Sequence, residues 1–350
     1  MPRARLALIV AAIALVLLWR PLIRPAAQAT LVVADIFAPL LPVPLASWVT
    51  PKPRVSDTVE RFAGVEMRVT WWRPGLGDRH EAVMVVNGAS PYGNDNAATR
   101  SLGASLARAG FLVMLPEFPF LKEGRLDPAA PEIADAAFAH LRALPETRGS
   151  AVGAFGASVG GGVLLSAAGS RPAIGAASYA VVLGAYYDLD TYVASVVSES
   201  QPRDGVVVPW VPSQEARERV PPAVVDAAPP RHRDAVRDAL RKGTYEEVLA
   251  RLRALPGEVT ERHAALSPSA AWERIRTPVF WIHDPNDEFE PLAEAYAAER
   301  APRSGRFSLV VPRLVQHAEP GSVKGGGPLD TLAELWRVLT FTIEVLRVAG

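Results

Sequence analysis

Short apolar runs alternate along most of this chain with longer stretches whose apolar positions recur at helical spacing. Ala82–Val86, Phe111–Leu115, Ala151–Phe155, Tyr179–Leu183, Val279–Ile282 and Phe307–Val311 read as short buried strands. Between them, Asn96–Ala109, Ala130–Ala143, Val159–Ala168 and Pro291–Ala301 have helical composition, and Val59 to Trp72 suggests an opening antiparallel pair. Alternation of this kind predicts an α/β fold built on a mainly parallel, doubly wound sheet. Leu332, Leu335, Trp336, Leu339, Ile343 and Leu346 recur at helical spacing within Leu329–Val348, with charged residues interspersed, which predicts a closing helix that packs. From about Thr191 to Trp272 the alternation breaks into charged, helix-favouring segments such as Arg231–Arg241 and Tyr245–Leu255, separated by Pro-rich turns.

Ahead of this pattern, Leu6–Trp19 is a run of fourteen apolar residues flanked by arginines. As a helix it spans ~21 Å, and Leu22 and Ile23 extend it if the helix passes Arg20. The expectation is an uncleaved membrane anchor within residues 1–29, and so a membrane location, with the side undetermined because charges flank both ends. A cleaved signal peptide ending near Ala27-Gln-Ala29 and a packing helix are the rivals. Residues 30–54 form an apolar, Pro-rich linker whose Asp35 and prolines at 39, 42 and 44 argue against a straight span, leaving an interfacial segment against the bilayer or a linker packed on the globular part. The globular part is expected from about residue 55 to 350.

Candidate chemistry centres on Gly156-Ala-Ser158-Val-Gly160, a G-x-S-x-G pattern with a strand before it and a helix after it. A strand that turns this sharply into a helix exposes the serine hydroxyl, and the glycines let strand and helix approach closely. The helix N-terminus at Val159 offers unpaired N–H groups where an oxyanion would form. A serine hydroxyl needs an imidazole to take its proton, and the imidazole needs a carboxylate to fix its tautomer. Asp287 follows one late strand and His317 the next, giving the order Ser158, Asp287, His317. Asp284, three residues from Asp287, and Asp188 or Asp190 after the Tyr179–Leu183 strand are alternative acids. His80, His140, His232 and His263 lie in polar or helical surroundings, and His283 ends an apolar strand.

These three matches and the element order over roughly residues 55–345 resemble the α/β-hydrolase superfamily, nearest to its esterase and dienelactone-hydrolase-like branches. The resemblance implies a Ser158–Asp287–His317 triad and an oxyanion hole formed by the N–H groups of Val159 and Ala89. Asn87-Gly88 stands where the family usually has His-Gly, and Asp284-Pro-Asn-Asp287 where it commonly has Gly-x-x-Asp. The resemblance also makes residues 191–272 a helical cap insertion. Val206–Pro212 and Tyr186, Tyr187 and Tyr192 are candidates to line an apolar pocket.

Composition narrows the classes. Lys+Arg and Asp+Glu are equal at 37 each, so no global field favours nucleic acid. Cysteine is absent, which removes disulfides, thiolate nucleophiles and cysteine-based zinc sites. No motif calls for a cofactor or a metal. The expected function is a serine hydrolase acting on a carboxylic ester or thioester, lipid-like if the anchor holds it at a bilayer. A peptidase or acyltransferase with the same triad, or a catalytically silent binding protein of the same fold, are the alternatives.

Overall fold

The computed structural model describes residues 19–40, 45–317, 319–320 and 326–349. Its first strands, β1 (Arg54–Phe62) and β2 (Val65–Arg73), form an antiparallel hairpin. The turn is Ala63-Gly64, both at positive φ, which suits a two-residue connection. β1 is an exposed edge strand, and Arg54, Asp57, Glu60 and Arg61 keep that edge from pairing with another chain. β3 (Ala82–Val86), β4 (Leu112–Pro116), β5 (Val152–Ala157) and β6 (Ala180–Leu183) follow, each almost wholly buried. A cap hairpin of β7 (Ser200–Arg203) and β8 (Val206–Pro209) stands apart from the main sheet. β9 (Val279–Ile282) and β10 (Phe307–Val310) complete an eight-stranded sheet of order β1-β2-β4-β3-β5-β6-β9-β10, parallel from β4 onward.

Alternate residues of each strand face opposite sides, so the sheet divides the core in two. Met84, Met114, Val182 and Trp281 face one layer, with α3 (Ala130–Ala143) and α4 (Val159–Ser170) packed on them. The helical insertion joins the same layer through α5 (Leu189–Ser198), α6 (Gln214–Ala227), α8 (Tyr245–Arg253) and α9 (Gly257–Leu266), with α7 (Arg233–Ala239) between α6 and α8. α10 (Leu292–Arg300) lies on this side too. Val83, Val85, Val181 and Phe280 face the other layer, which is built from α1 (Arg24–Ile36), α2 (Ala97–Arg108) and α11 (Pro328–Ala349).

α1 changes the reading of the N-terminus. Leu6–Trp19 lies, apart from Trp19, outside the described residues. Among the described residues no helix is long and apolar enough to cross a membrane, so the expected anchor and membrane location are corrected. Residues 24–36 instead pack in the layer they share with α2 and α11, with Ala29, Val32 and Val33 buried. Gln28 Nε2 donates to Ala109 O at 3.2 Å, and Arg24 pairs with Glu81 at 3.1 Å. Asp35 accepts from Ser105 Oγ at 2.9 Å and pairs with Arg108 at 3.5 Å. A charge that would be costly in a bilayer is satisfied here by α2.

Candidate active site

Ser158 sits at the apex between β5 and α4 with φ +50°, a conformation rarely adopted by residues other than glycine. Its neighbours make the bend possible. A Cβ on Gly160 would lie 2.3 Å from Asn87 O, and one on Gly156 would lie 2.7 Å from Gly161 Cα. Ser158 N–H donates to Leu183 O at 2.8 Å, which ties the apex to β6. Gly88 passes directly over the serine, where a Cβ would stand 3.0 Å from Ser158 Cβ. Asn87 fixes that crossing, because its Oδ1 accepts from Gly88 N–H and Thr99 Oγ1, each at 3.0 Å. Its amide donates to Gly93 O at 3.0 Å. Ala89 and Val159, the expected oxyanion donors, line the same cavity as Ser158.

Asp287 follows β9 and is buried. Its Oδ1 accepts from the N–H groups of Phe289 and Glu290 at 2.7 and 3.0 Å, so the loop is folded around the carboxylate. The insertion braces this loop from above, since Trp210 Nε1 donates to Asp287 O at 2.8 Å and Ser213 N–H to Glu288 O at 2.6 Å. His317 follows β10 at φ +53°. Its Nδ1 lies 3.0 Å from Asp287 Oδ2 and 3.1 Å from Oδ1, and Phe289 stacks on its ring at 4.4 Å between centroids. Gly184, at φ +52°, leaves room for the pair, because a Cβ there would stand 2.9 Å from Asp287 Oδ2 and 3.2 Å from His317 Nδ1.

Glu290 is the residue that sequence reasoning missed. It is buried, its Oε1 accepts from Ser158 Oγ at 2.6 Å, and its Oε2 lies 3.2 Å from His317 Nδ1. The serine hydroxyl is thus held by a carboxylate and not by the imidazole. His283 fixes Glu290 from below, with its Nε2 2.9 Å from Glu290 O and its Nδ1 accepting from Trp281 Nε1 at 3.2 Å. The available signal was the carboxylate-rich run Asp284-Pro-Asn-Asp-Glu-Phe-Glu290.

The electrostatics follow from burial and proximity. Burial alone would raise the Asp287 carboxyl, but the charge on His317 and the hydrogen bond between them outweigh it and hold Asp287 below the usual carboxylate range. For His317, burial opposes the charged ring, and the carboxylates of Glu290 and Asp287 overcome it and raise its pKa. Glu290 is raised in turn, chiefly by burial and then by the charge of Asp287. Three groups so close share protons as a unit.

The alternative acids are engaged elsewhere. Asp188 caps α5, accepting from Asp190 and Thr191 N–H, and accepts from Ser269 Oγ at 2.5 Å. Asp190 pairs with His263 at 2.7 Å, and Asp284 accepts from Asn286 N–H at 2.7 Å. His80 contacts Gly77 O, and His140 and His232 pair with Glu60 and Glu258. Among the apolar-pocket candidates, Tyr192 lines the cavity, whereas Tyr186 is buried with its hydroxyl donating to Leu266 O. Asp287, Glu290 and His317 together offer three ligand atoms within 4.8 Å of one another. The hydrogen bonds of His317 Nδ1 to Asp287 and of Ser158 Oγ to Glu290 Oε1 already engage most of that cluster.

No family model and no curated protein sequence matches the chain. Solved structures do. The crystal structure of a 2,6-dihydroxy-pseudo-oxynicotine hydrolase superposes with a TM-score of 0.53 at 17% identity, over 82% of this chain and 68% of the other. A putative dipeptidyl aminopeptidase IV from Bacteroides ovatus gives 0.50 at 12% identity, over 77% of this chain and 34% of that longer one. Est1E from Butyrivibrio proteoclasticus gives 0.49 at 13% identity, over 83% and 98%. The sheet order, the strand–elbow–helix at Ser158 and the superpositions on the first two of these structures define an α/β-hydrolase fold.

Proposed function

We propose that this protein is a serine hydrolase that cleaves a carboxylic ester through an acyl-enzyme. The observation that carries this reading is the elbow at Ser158 placed on one cavity with His317, whose Nδ1 is held 3.0 Å from the buried Asp287. In the reaction, Ser158 Oγ leaves Glu290, gives its proton to His317 and attacks the carbonyl carbon. The N–H groups of Val159 and Ala89 stabilise the oxyanion. Collapse of that intermediate breaks the ester C–O bond, and the departing alkoxide takes the proton from His317. Water then gives one proton to His317 while its oxygen attacks the acyl carbon. Breakage of the Ser158 ester releases the carboxylic acid, and the proton on His317 returns to Oγ. Asp287 keeps the imidazole in the tautomer that accepts at Nε2 and stabilises the imidazolium.

The experiment is labelling of the full chain with a fluorophosphonate, followed by peptide mapping and a series of acyl esters, thioesters and peptide amides. Label on Ser158 with ester turnover supports the reading. Labelling and turnover that survive in folded Ser158→Ala protein overturn it, and turnover confined to amides replaces the ester with a peptide.

A further inference from the structure

The cavity that opens at Ser158 continues well past the reacting groups, with a total volume of about 970 Å³. That is at the upper end of the range for small-molecule sites. Its wall begins at Asn87, Ser158 and Leu183, at the carboxyl ends of β3, β5 and β6, and continues to Val83, Phe155 and Tyr179 further back along the same strands. Tyr179 and Leu183 are four residues apart, so the channel follows the strands for about 13 Å. It runs on the face of the sheet away from the helical insertion. Val33 of α1 and Phe341 and Leu346 of α11 close it opposite the sheet.

Charge is distributed unevenly along it. The charged lining residues, among them Glu215, Arg219, Glu288 and Arg313, all come from α6 or from loops at the serine end. Beyond that end the lining is almost entirely aliphatic and aromatic. A peptide or a polar ring system would leave hydrogen-bonding groups unpaired against such a wall. An unbranched hydrocarbon has none to satisfy, and every methylene it buries adds to binding.

We infer that this channel holds the unbranched acyl chain of a medium- to long-chain carboxylic ester, with its carbonyl at Ser158. The inference rests on the hydrolase reading for the chemistry but not for the binding. α1 is then part of the substrate site, since it roofs the hydrocarbon.

Two measurements on the full chain test this. The first is kcat/KM for p-nitrophenyl acetate, butyrate, octanoate and dodecanoate, with a rise of roughly fourfold per methylene expected through the octanoate. Val33→Trp and Leu346→Trp, which fill the channel from two different helices, should lower the rate on octanoate and dodecanoate by about tenfold or more while sparing acetate. A folded variant with an unchanged chain-length profile overturns the inference. The second is calorimetric binding of dodecanoate to Ser158→Ala, which reads the channel without chemistry and also decides the case if both tryptophan variants fail to fold. Dodecanoate binding without any ester turnover removes the hydrolase reading and keeps the channel. Ser158-dependent acetate hydrolysis with no gain for longer chains and no dodecanoate binding removes the channel and keeps the hydrolase.

Discussion

Ser158 Oγ donates a 2.6 Å hydrogen bond to Glu290 Oε1, while the other oxygen of that carboxyl lies 3.2 Å from His317 Nδ1. A second buried carboxyl thus links the nucleophile to the imidazole beside the expected acid. Its negative charge is one of the causes that raise the His317 pKa. The base works only as the neutral ring, so activity should rise with pH as the imidazolium loses its proton, above the ordinary histidine value. Glu290→Gln removes that charge and should move the rising limb of the kcat/KM profile toward lower pH. A limb left in place would show that Glu290 has no hold on the imidazole.

The roles proposed for Ser158 and Asp287 separate by substitution. Ser158→Ala should lower kcat by ~10⁴-fold or more with the fold intact. Asp287→Asn should cost on the order of 10³–10⁴-fold in kcat, because the imidazole loses both its tautomer and its charge partner. Asp188→Asn, whose carboxylate caps α5, should lose far less turnover. Steady-state kinetics on the three purified proteins check this, and a severe loss confined to Asp188→Asn would relocate the acid.

Gly184 is a site where one methyl group reports on the pair it adjoins. Its positive φ and the 2.9 Å approach of a Cβ to Asp287 Oδ2 leave no room for alanine. Gly184→Ala should cost about 1–2 kcal/mol of stability from the backbone alone. By displacing Asp287 from His317 it should also lower kcat by about 10²-fold. Denaturant melts and kinetics on the same preparation measure both, and an unaltered kcat would mean the pair tolerates displacement.

Packing of α1 predicts that residues 24–36 belong to the folded unit. Val32→Asp places an unpaired charge in the layer between the sheet and α11 and should destabilise by roughly 3 kcal/mol. A chain beginning near Pro51 should expose that layer and aggregate or melt well below the full chain. A truncated protein with the full chain's melting temperature would show that α1 contributes nothing.

Much of this was legible because local rules sufficed. The elbow is readable since glycines at 156 and 160 are required by contacts within the motif's own bend and the adjacent β3 loop. The closing helix, expected over Leu329–Val348, is found over Pro328–Ala349, because its apolar stripe is long and regular. β1 begins at Arg54, earlier than expected, since an edge strand exposed over nearly its whole length carries no alternation to read. α1 did leave a trace in Ala29, Val32, Val33 and Ile36, which recur at helical spacing. The longer apolar run ahead of it drew attention to a membrane instead. The acidic run showed carboxylates near Asp287 but not which of them meets Ser158, because the loop is held by His283 and by Trp210 from a distant part of the chain.

The pairing of α1 with α11 also bears on synthesis. α1 is made before every strand of the sheet and α11 after them all, yet the two meet over the same face, in one cluster that holds Val32 and Phe341. Until α11 leaves the ribosome, that face of the nascent sheet has no complete cover, although domains generally fold as they emerge. The Ser158 elbow is then translated long before that layer can close. Emergence of α11, and not synthesis of Ser158, Asp287 and His317, becomes the event that closes this layer.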